Sequence, residues 1–553
     1  MSVRIIRAVA TLLLCAGPSF SMKSAGAADG QAASDSTRLR VSPILVAAAA
    51  EVWEKIATDD NPIWPGWNAR DTPLLLYLPG ELDVLINHPH PPPGFRAYDG
   101  PLAFPAGAIL IRDGPTILSL DGQNTSLDVE GVRTLVVADP LSNLRLRVSG
   151  LLRDARPAAE KAEALRLSDL ATDPYDLLAL VAHEAFHVHQ NRRAPSRGAN
   201  EMLLLHYPVL SVENNVGLAQ EGMALADALH ASEDAAFRAA AVRWLALRRH
   251  RRAVLPPRAV EYEDGIEFSE GLAKYAEFRL FQVLEGRTPG AGMAWAQGFH
   301  GYADLAPQRE RLVGQMVQHM RGEVAVNNDP YSTAPARMRL YFSGMAIGLL
   351  LDRLSTDWKR RVMESDTSLT ALAEEALRAS PDEMSAALAS TRGAPGYPGL
   401  VEDRTRFAEQ GRSRISEMLA AIEGGEGTGL ILDYAALESP RVAMAFTPFG
   451  ITVVDSARTI FSQVPLKVRF TDGSELAQTT PAPLLRDTTQ RLIRFRLPRA
   501  VSRAELERLV GARRIGAHTP APLDVELPGV TLHLTRATIH ARGAIIRVVL
   551  HRG

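Results

Sequence analysis

The stretch Asp173–Arg193, DPYDLLALVAHEAFHVHQNRR, decides how this chain is read, because it contains His183-Glu184-Ala185-Phe186-His187, an H-E-x-x-H pattern. Histidines four apart lie about 40° apart around a 3.6-residue helix, so both imidazoles can reach one zinc ion. Glu184 falls at the edge of that face, where a carboxylate can act as a general base without being a ligand. The geometry requires a helix, and the flanks predict one. Asp173-Pro174 supplies an N-cap followed by proline at the first helical position, and Asp176 adds an acid in the first turn. Leu177, Leu178, Val181, Ala182, Ala185 and Phe186 recur at helical spacing, and Arg192-Arg193 place positive charge where the helix ends before Pro195. His189 points off the 183/187 face and reads as a solvated residue.

The rest of the chain narrows the donors available. Its 553 residues predict two to four domains, and a 46% hydrophobic share is ordinary for a globular protein. A formal net charge of −2 offers no field for nucleic acid. The basic cluster Arg248-Arg249-His250-Arg251-Arg252 ends an apolar helical pattern before Pro256-Pro257 and reads as a solvated helix cap. Arg4 and Arg7 precede the apolar run Ala8–Leu14, and Ala25-Gly26-Ala27 supplies a cleavage site, so residues 1–27 read as a signal peptide for export to the periplasm or beyond the cell. The single cysteine, Cys15, lies in that leader, which leaves His, Asp and Glu to hold any metal in the mature chain. No apolar run reaches spanning length.

Composition changes along the chain predict an α+β multidomain protein. Residues 38–157 read as an α/β region, with a helix over 44–56 and strand-like runs at 73–78, 84–86 and 108–111. Residues 158–425 are rich in Ala, Leu, Glu and Arg and read as a mostly helical, zincin-like body carrying HEAFH. After the break Glu423-Gly424-Gly425-Glu426-Gly427, residues 435–553 alternate like strands at 451–454, 466–470, 492–495 and 545–549, with one helix near 503–510, and read as an all-β, sandwich-like domain. The loop His88-Pro89-His90-Pro91-Pro92-Pro93-Gly94 is a stiff connector that could also cover a cleft.

A catalytic zinc usually takes three protein ligands and a water. Two glutamates compete for the third place: Glu270 in Glu270-Gly271-Leu272-Ala273-Lys274-Tyr275-Ala276-Glu277, and Glu221 in Glu221-Gly222-Met223-Ala224. Both begin E-G-x-A, whose small residues would let a second helix approach the HEAFH helix. HEAFH followed by EGLAKYAE resembles the gluzincin metallopeptidases, in particular their aminopeptidase-like branch. The resemblance covers these two motifs and implies His183, His187 and Glu270 as ligands, with Glu184 as base. The segment between the motifs is far longer than in that family, which predicts two inserted helices, at about 212–230 and 234–251. No G-x-M-E-N-like run precedes HEAFH, so the resemblance implies peptidase activity without specifying exopeptidase activity.

Helical geometry weighs the other way. Glu263, Glu267, Glu270, Lys274 and Glu277 share one stripe, which reads as solvated, whereas Glu221 sits among Gly217, Leu218, Ala224, Leu225 and Ala228 and must find a cation or donors there. The motif ranks Glu270 first and leaves Glu221 as the alternative ligand, or as a partner of a ligating histidine. An oxyanion donor is also expected, and Tyr275, Tyr207 and His206 are the nearby candidates, Tyr275 foremost. The reaction expected is hydrolysis of a peptide bond in a peptide or protein substrate, with one Zn2+ per chain. A scaffold holding structural zinc, and a hydrolase of non-peptide amides or esters, are the alternatives.

Overall fold

A computed structural model describes residues 43–139 and 173–552 apart from 57–60, 69–71, 79, 100–103, 106, 115–123, 140–172, 295, 297, 327–328, 438–442, 446–449, 463–465 and 520–521. The expected signal peptide lies outside the described residues. The protein is α+β and multidomain, and its two compact units are not contiguous segments: one comprises residues 1–193 and 276–309, the other 194–275 and 310–553.

The first unit is built on a six-stranded sheet of β1 (Leu74–Leu78), β2 (Leu82–Ile86), β3 (Arg96–Ala97), β4 (Ile109–Asp113), β5 (Thr125–Val129) and β6 (Val132–Ala138), in the order 3-4-2-1-6-5. Only β1 and β6 pair in parallel. That central pair is buried through most of its length, which is why these strands read as unbroken apolar runs. Helix α1 (Pro43–Ile56) and helix α2 (Pro174–Arg193) pack together, and α2 lies against β5 and β6. Trp64 and Trp67 meet the ring of Phe186 edge-on at 5.0 and 5.1 Å. His189 is buried beside Phe186 and Trp67 and is not solvated as expected; burial first, then Arg193 and Arg192, lowers its pKa to about 4. The proline loop after β2 is tethered by His88, whose Nε2 donates to the Val129 carbonyl at 3.1 Å.

In the second unit, α3 (Val212–His230) and α4 (Asp234–Arg252) pair along their lengths, at the bounds expected for the inserted helices. They are followed by α5 (Pro257–Ile266), a π-helical turn (Glu267–Gly271) and α6 (Leu272–Leu284), three segments that continue one another. The chain then runs through α7 (Ala306–Arg321), α8 (Thr333–Leu354), α9 (Trp358–Glu364), α10 (Leu369–Leu377), α11 (Pro381–Arg392) and α12 (Tyr397–Gly424). In the C-terminal part, strand Gly429–Asp433 lies between Leu492–Arg496 and Ile545–Leu550 in an eight-stranded sheet. A five-stranded antiparallel sheet contributes Val468, Leu476 and Leu532 to the same apolar core as Leu432, Ile493 and Val548. The helix expected near 503–510 is α13 (Arg503–Val510).

Two expectations fail here for one reason. Arg248 and Arg251 are not a solvated cap, and Glu263 and Glu267 are not a solvated stripe; all four side chains are buried. Arg248 binds Glu221 at 3.0 Å and Glu267 at 2.9 Å, and Arg251 binds Glu221 and also Glu263, at 3.0 Å. Charges on α3, α4, α5 and the π-turn neutralise one another across the helix interfaces, a pairing that single-helix periodicity cannot reveal. Burial would raise the Glu263 carboxyl, but Arg251 and Arg252 outweigh it and hold it well below the usual carboxylate range. The stripe is also rotated at its middle. The π-turn inserts a residue relative to a 3.6 repeat, so the positions on either side of it do not share one face.

Gly271 lies against α8. A Cβ at Gly271 would stand 2.6 Å from the Gly344 Cα, and one at Gly344 would stand 2.6 Å from the Glu267 carbonyl oxygen. Backbone meets backbone at this crossing, so Gly344→Ala is expected to destabilise by about 1–3 kcal/mol or more in urea denaturation. Glu221→Ala, which leaves two buried guanidinium groups short of a partner, is expected to cost about 3–5 kcal/mol.

His319 stacks on Phe342 at 4.7 Å, and burial, then Lys274 and Arg339, lowers its pKa from 6.5 to about 4. Because the folded value is the lower one, the unfolded chain binds more protons between them, and stability complete above pH 6.5 is lost as pH falls towards about 4. The His319 contribution approaches 1 kcal/mol per pH unit inside that window. His319→Leu is expected to flatten the pH dependence of the urea midpoint.

Candidate metal centre

Helix α2 forms as its ends dictate. Asp173 Oδ1 accepts the Tyr175 N–H at 2.8 Å, its carbonyl accepts the Leu177 N–H at 3.2 Å, and Arg192 and Arg193 occupy the last turn. The Tyr175 hydroxyl donates to the Gly301 carbonyl at 2.9 Å and accepts from His300 N–H at 3.0 Å, which ties the start of the helix to the 300–301 turn. Four residues apart on this helix, His183 and His187 stand with ring centroids 4.8 Å apart and planes at 84°. Glu184 is buried on the same helix.

One ligand atom each from His183, His187 and Glu270 lies within 4.8 Å of the others, and no other three His, Cys, Asp or Glu side chains do so among the described residues. Donors at about 2.1 Å from a tetrahedral zinc stand roughly 3.4 Å apart, so the group fits that ion after a small inward adjustment. The tautomers suit it as well. His183 Nδ1 donates to Glu277 Oε1 at 2.7 Å, and His187 Nδ1 donates to Gln190 Oε1 at 2.9 Å. With a proton fixed on Nδ1, the lone pair of each ring is on Nε2, the form a metal requires. Glu270 lies in the π-turn, one side-chain oxygen accepting from Arg337 Nη2 at 2.9 Å. Two imidazoles and a carboxylate, with no thiolate, form a donor set suited to zinc.

The other expected residues have different partners. Glu221, the alternative third ligand, is bound by Arg248 and Arg251, the cations its burial demanded. The Tyr275 hydroxyl donates to Asp352 at 2.7 Å and its ring packs edge-on to Trp358. The Tyr207 hydroxyl donates to Glu263 at 2.8 Å, and His206 lies 3.4 Å from Arg258.

Sequence periodicity assigns no role to Gln190 and puts Glu277 on a solvated stripe, yet Glu277 is buried; both were legible. Gln190 is three residues beyond His187 on one helix, and Glu277 lies two turns beyond Glu270. Arg337, on α8, carried no signal; only folding brings it to Glu270. No known protein family, no curated protein and no solved structure matches this chain.

Because Glu277 fixes the tautomer and orientation of His183, Glu277→Ala is expected to weaken zinc binding about 10–100-fold in competition with a chromophoric chelator, leaving the circular dichroism spectrum unchanged.

Proposed function

We propose that this chain is a zinc-dependent metallohydrolase acting on peptide bonds, similar in its site to gluzincin peptidases. The observation that carries the reading is the convergence of His183, His187 and Glu270, with both histidine Nδ1 atoms committed to acceptors and Glu184 beside them on the same helix. A structural zinc site needs no carboxylate base next to its histidines, which favours catalysis over a scaffold role. In this reading His183, His187 and Glu270 hold one zinc, and the metal supplies Lewis acidity that brings water ionisation into the neutral range. Glu184 takes the proton from the attacking water and passes it to the leaving nitrogen. Glu277 and Gln190 hold the two imidazoles in their ligating tautomer.

Export through the leader read in residues 1–27 places the enzyme outside the cytoplasm in this proposal. No described helix is long and apolar enough to cross a membrane.

Purified protein reconstituted with zinc and offered a mixed peptide library tests the reading. Wild type is expected to bind one zinc and cleave; Glu184→Gln keeps the metal and loses about 10²–10⁴-fold in kcat/KM. His183→Ala and Glu270→Ala lose both metal and activity, whereas folded Glu221→Ala keeps the metal. A zinc-loaded wild type inert towards every peptide, yet active on simple amides or esters, would replace the peptidase assignment with that of a non-peptide hydrolase. A loaded chain inert towards all of these would leave a scaffold.

A further inference from the structure

Glu270 enters the ligand group with one oxygen already engaged. Its Oε1 accepts from Nη2 of Arg337 at 2.9 Å. Arg337 is itself held from behind: Nε and Nη2 donate to Glu201 Oε1 at 3.0 and 2.9 Å, and Nη1 donates to the Tyr341 hydroxyl. The Tyr341 ring lies 5.0 Å from the guanidinium centre, and its hydroxyl also hydrogen-bonds Glu270. The Arg337 side chain is only 9% exposed, so its fork is locked between two carboxylates and a phenol.

A glutamate on three rotatable bonds can approach a cation through either oxygen or through both. A guanidinium fixed on Oε1 restricts that freedom, because it occupies a lone pair of that oxygen and its charge opposes a cation there. We propose that Arg337, anchored by Glu201, is a positioning residue that restricts the carboxylate of Glu270 so that it meets the metal through one oxygen. The inference rests on the metal site proposed above. Ligation through one oxygen leaves a four-coordinate ion with a place for substrate or water, whereas a chelating Glu270 would fill it. A merely structural Arg337–Glu270 ion pair makes a different prediction, since its loss would change stability and leave the ligand field as it was.

Cobalt(II) added to the metal-free full chain separates these cases, because its visible absorption is intense in four-coordinate sites and weakens as coordination number rises. Wild type is expected to absorb strongly, and Arg337→Met several-fold less per bound Co2+, with circular dichroism showing that both are folded. Arg337→Lys, which keeps one donor, is expected to recover part of the intensity. Glu201→Gln, which only loosens the anchor, shifts it the same way by less. Identical spectra for wild type and Arg337→Met would overturn the proposal. So would a wild-type spectrum from Glu201→Gln if Arg337→Met fails to fold. Absence of Co2+ uptake by the wild type would instead overturn the metal site itself, and the role of Arg337 with it.

Discussion

The helical segment that carries Glu270 depends on a buried exchange of charge. Arg248 and Arg251 project from α4 into a space where burial excludes water, and they are tolerated there only because Glu221 from α3 and Glu263 and Glu267 from the following segment meet them. Glu267 stands three residues before Glu270, and Ser343 of α8 also donates to it. The network therefore ties α3, α4 and α8 to the start of the π-turn. Gly271 and Gly344 then let the backbones of the turn and α8 meet at contact distance. A carboxylate placed between two such constraints has little freedom to wander.

Four glutamates of one helical segment perform different tasks because each meets a different partner. Glu263 and Glu267 face guanidinium groups and serve as buried counter-ions. Glu270 meets Arg337 and joins the histidine group, while Glu277 accepts the Nδ1 proton of His183. The residue type is the same throughout. A carboxylate surrounded by fixed cations stabilises the fold, and one facing an imidazole nitrogen fixes the tautomer of that ring.

Much of this was legible in the sequence. Local rules placed α2 from Asp173-Pro174 to Arg192-Arg193, located α3 and α4, and picked out the C-terminal strands and the helix at 503–510, since each depends on neighbours a few residues apart. The candidate ligands were also visible, because HEAFH and EGLAKYAE are short motifs whose geometry is set within one or two helical turns. Readings that used single-helix periodicity to infer exposure failed at His189, Arg248, Arg251, Glu263 and Glu267. Exposure depends on what packs against a face, and a lone helix carries no information about its neighbour.

The sequence by itself determined which side chains could hold a metal and which helices would carry them, because capping, periodicity and motif spacing act along the chain. Only the tertiary structure put Glu270, and not Glu221, in a group with the histidines. Both are acidic, both open an E-G-x-A run, and both sit on helices, so no local rule separates them. Two arginines from α4 reach Glu221 and take its charge, whereas the π-turn and Arg337 from α8 bring Glu270 to the histidines. The choice is one of electrostatic partners supplied by distant segments, and those meet only when the chain has folded.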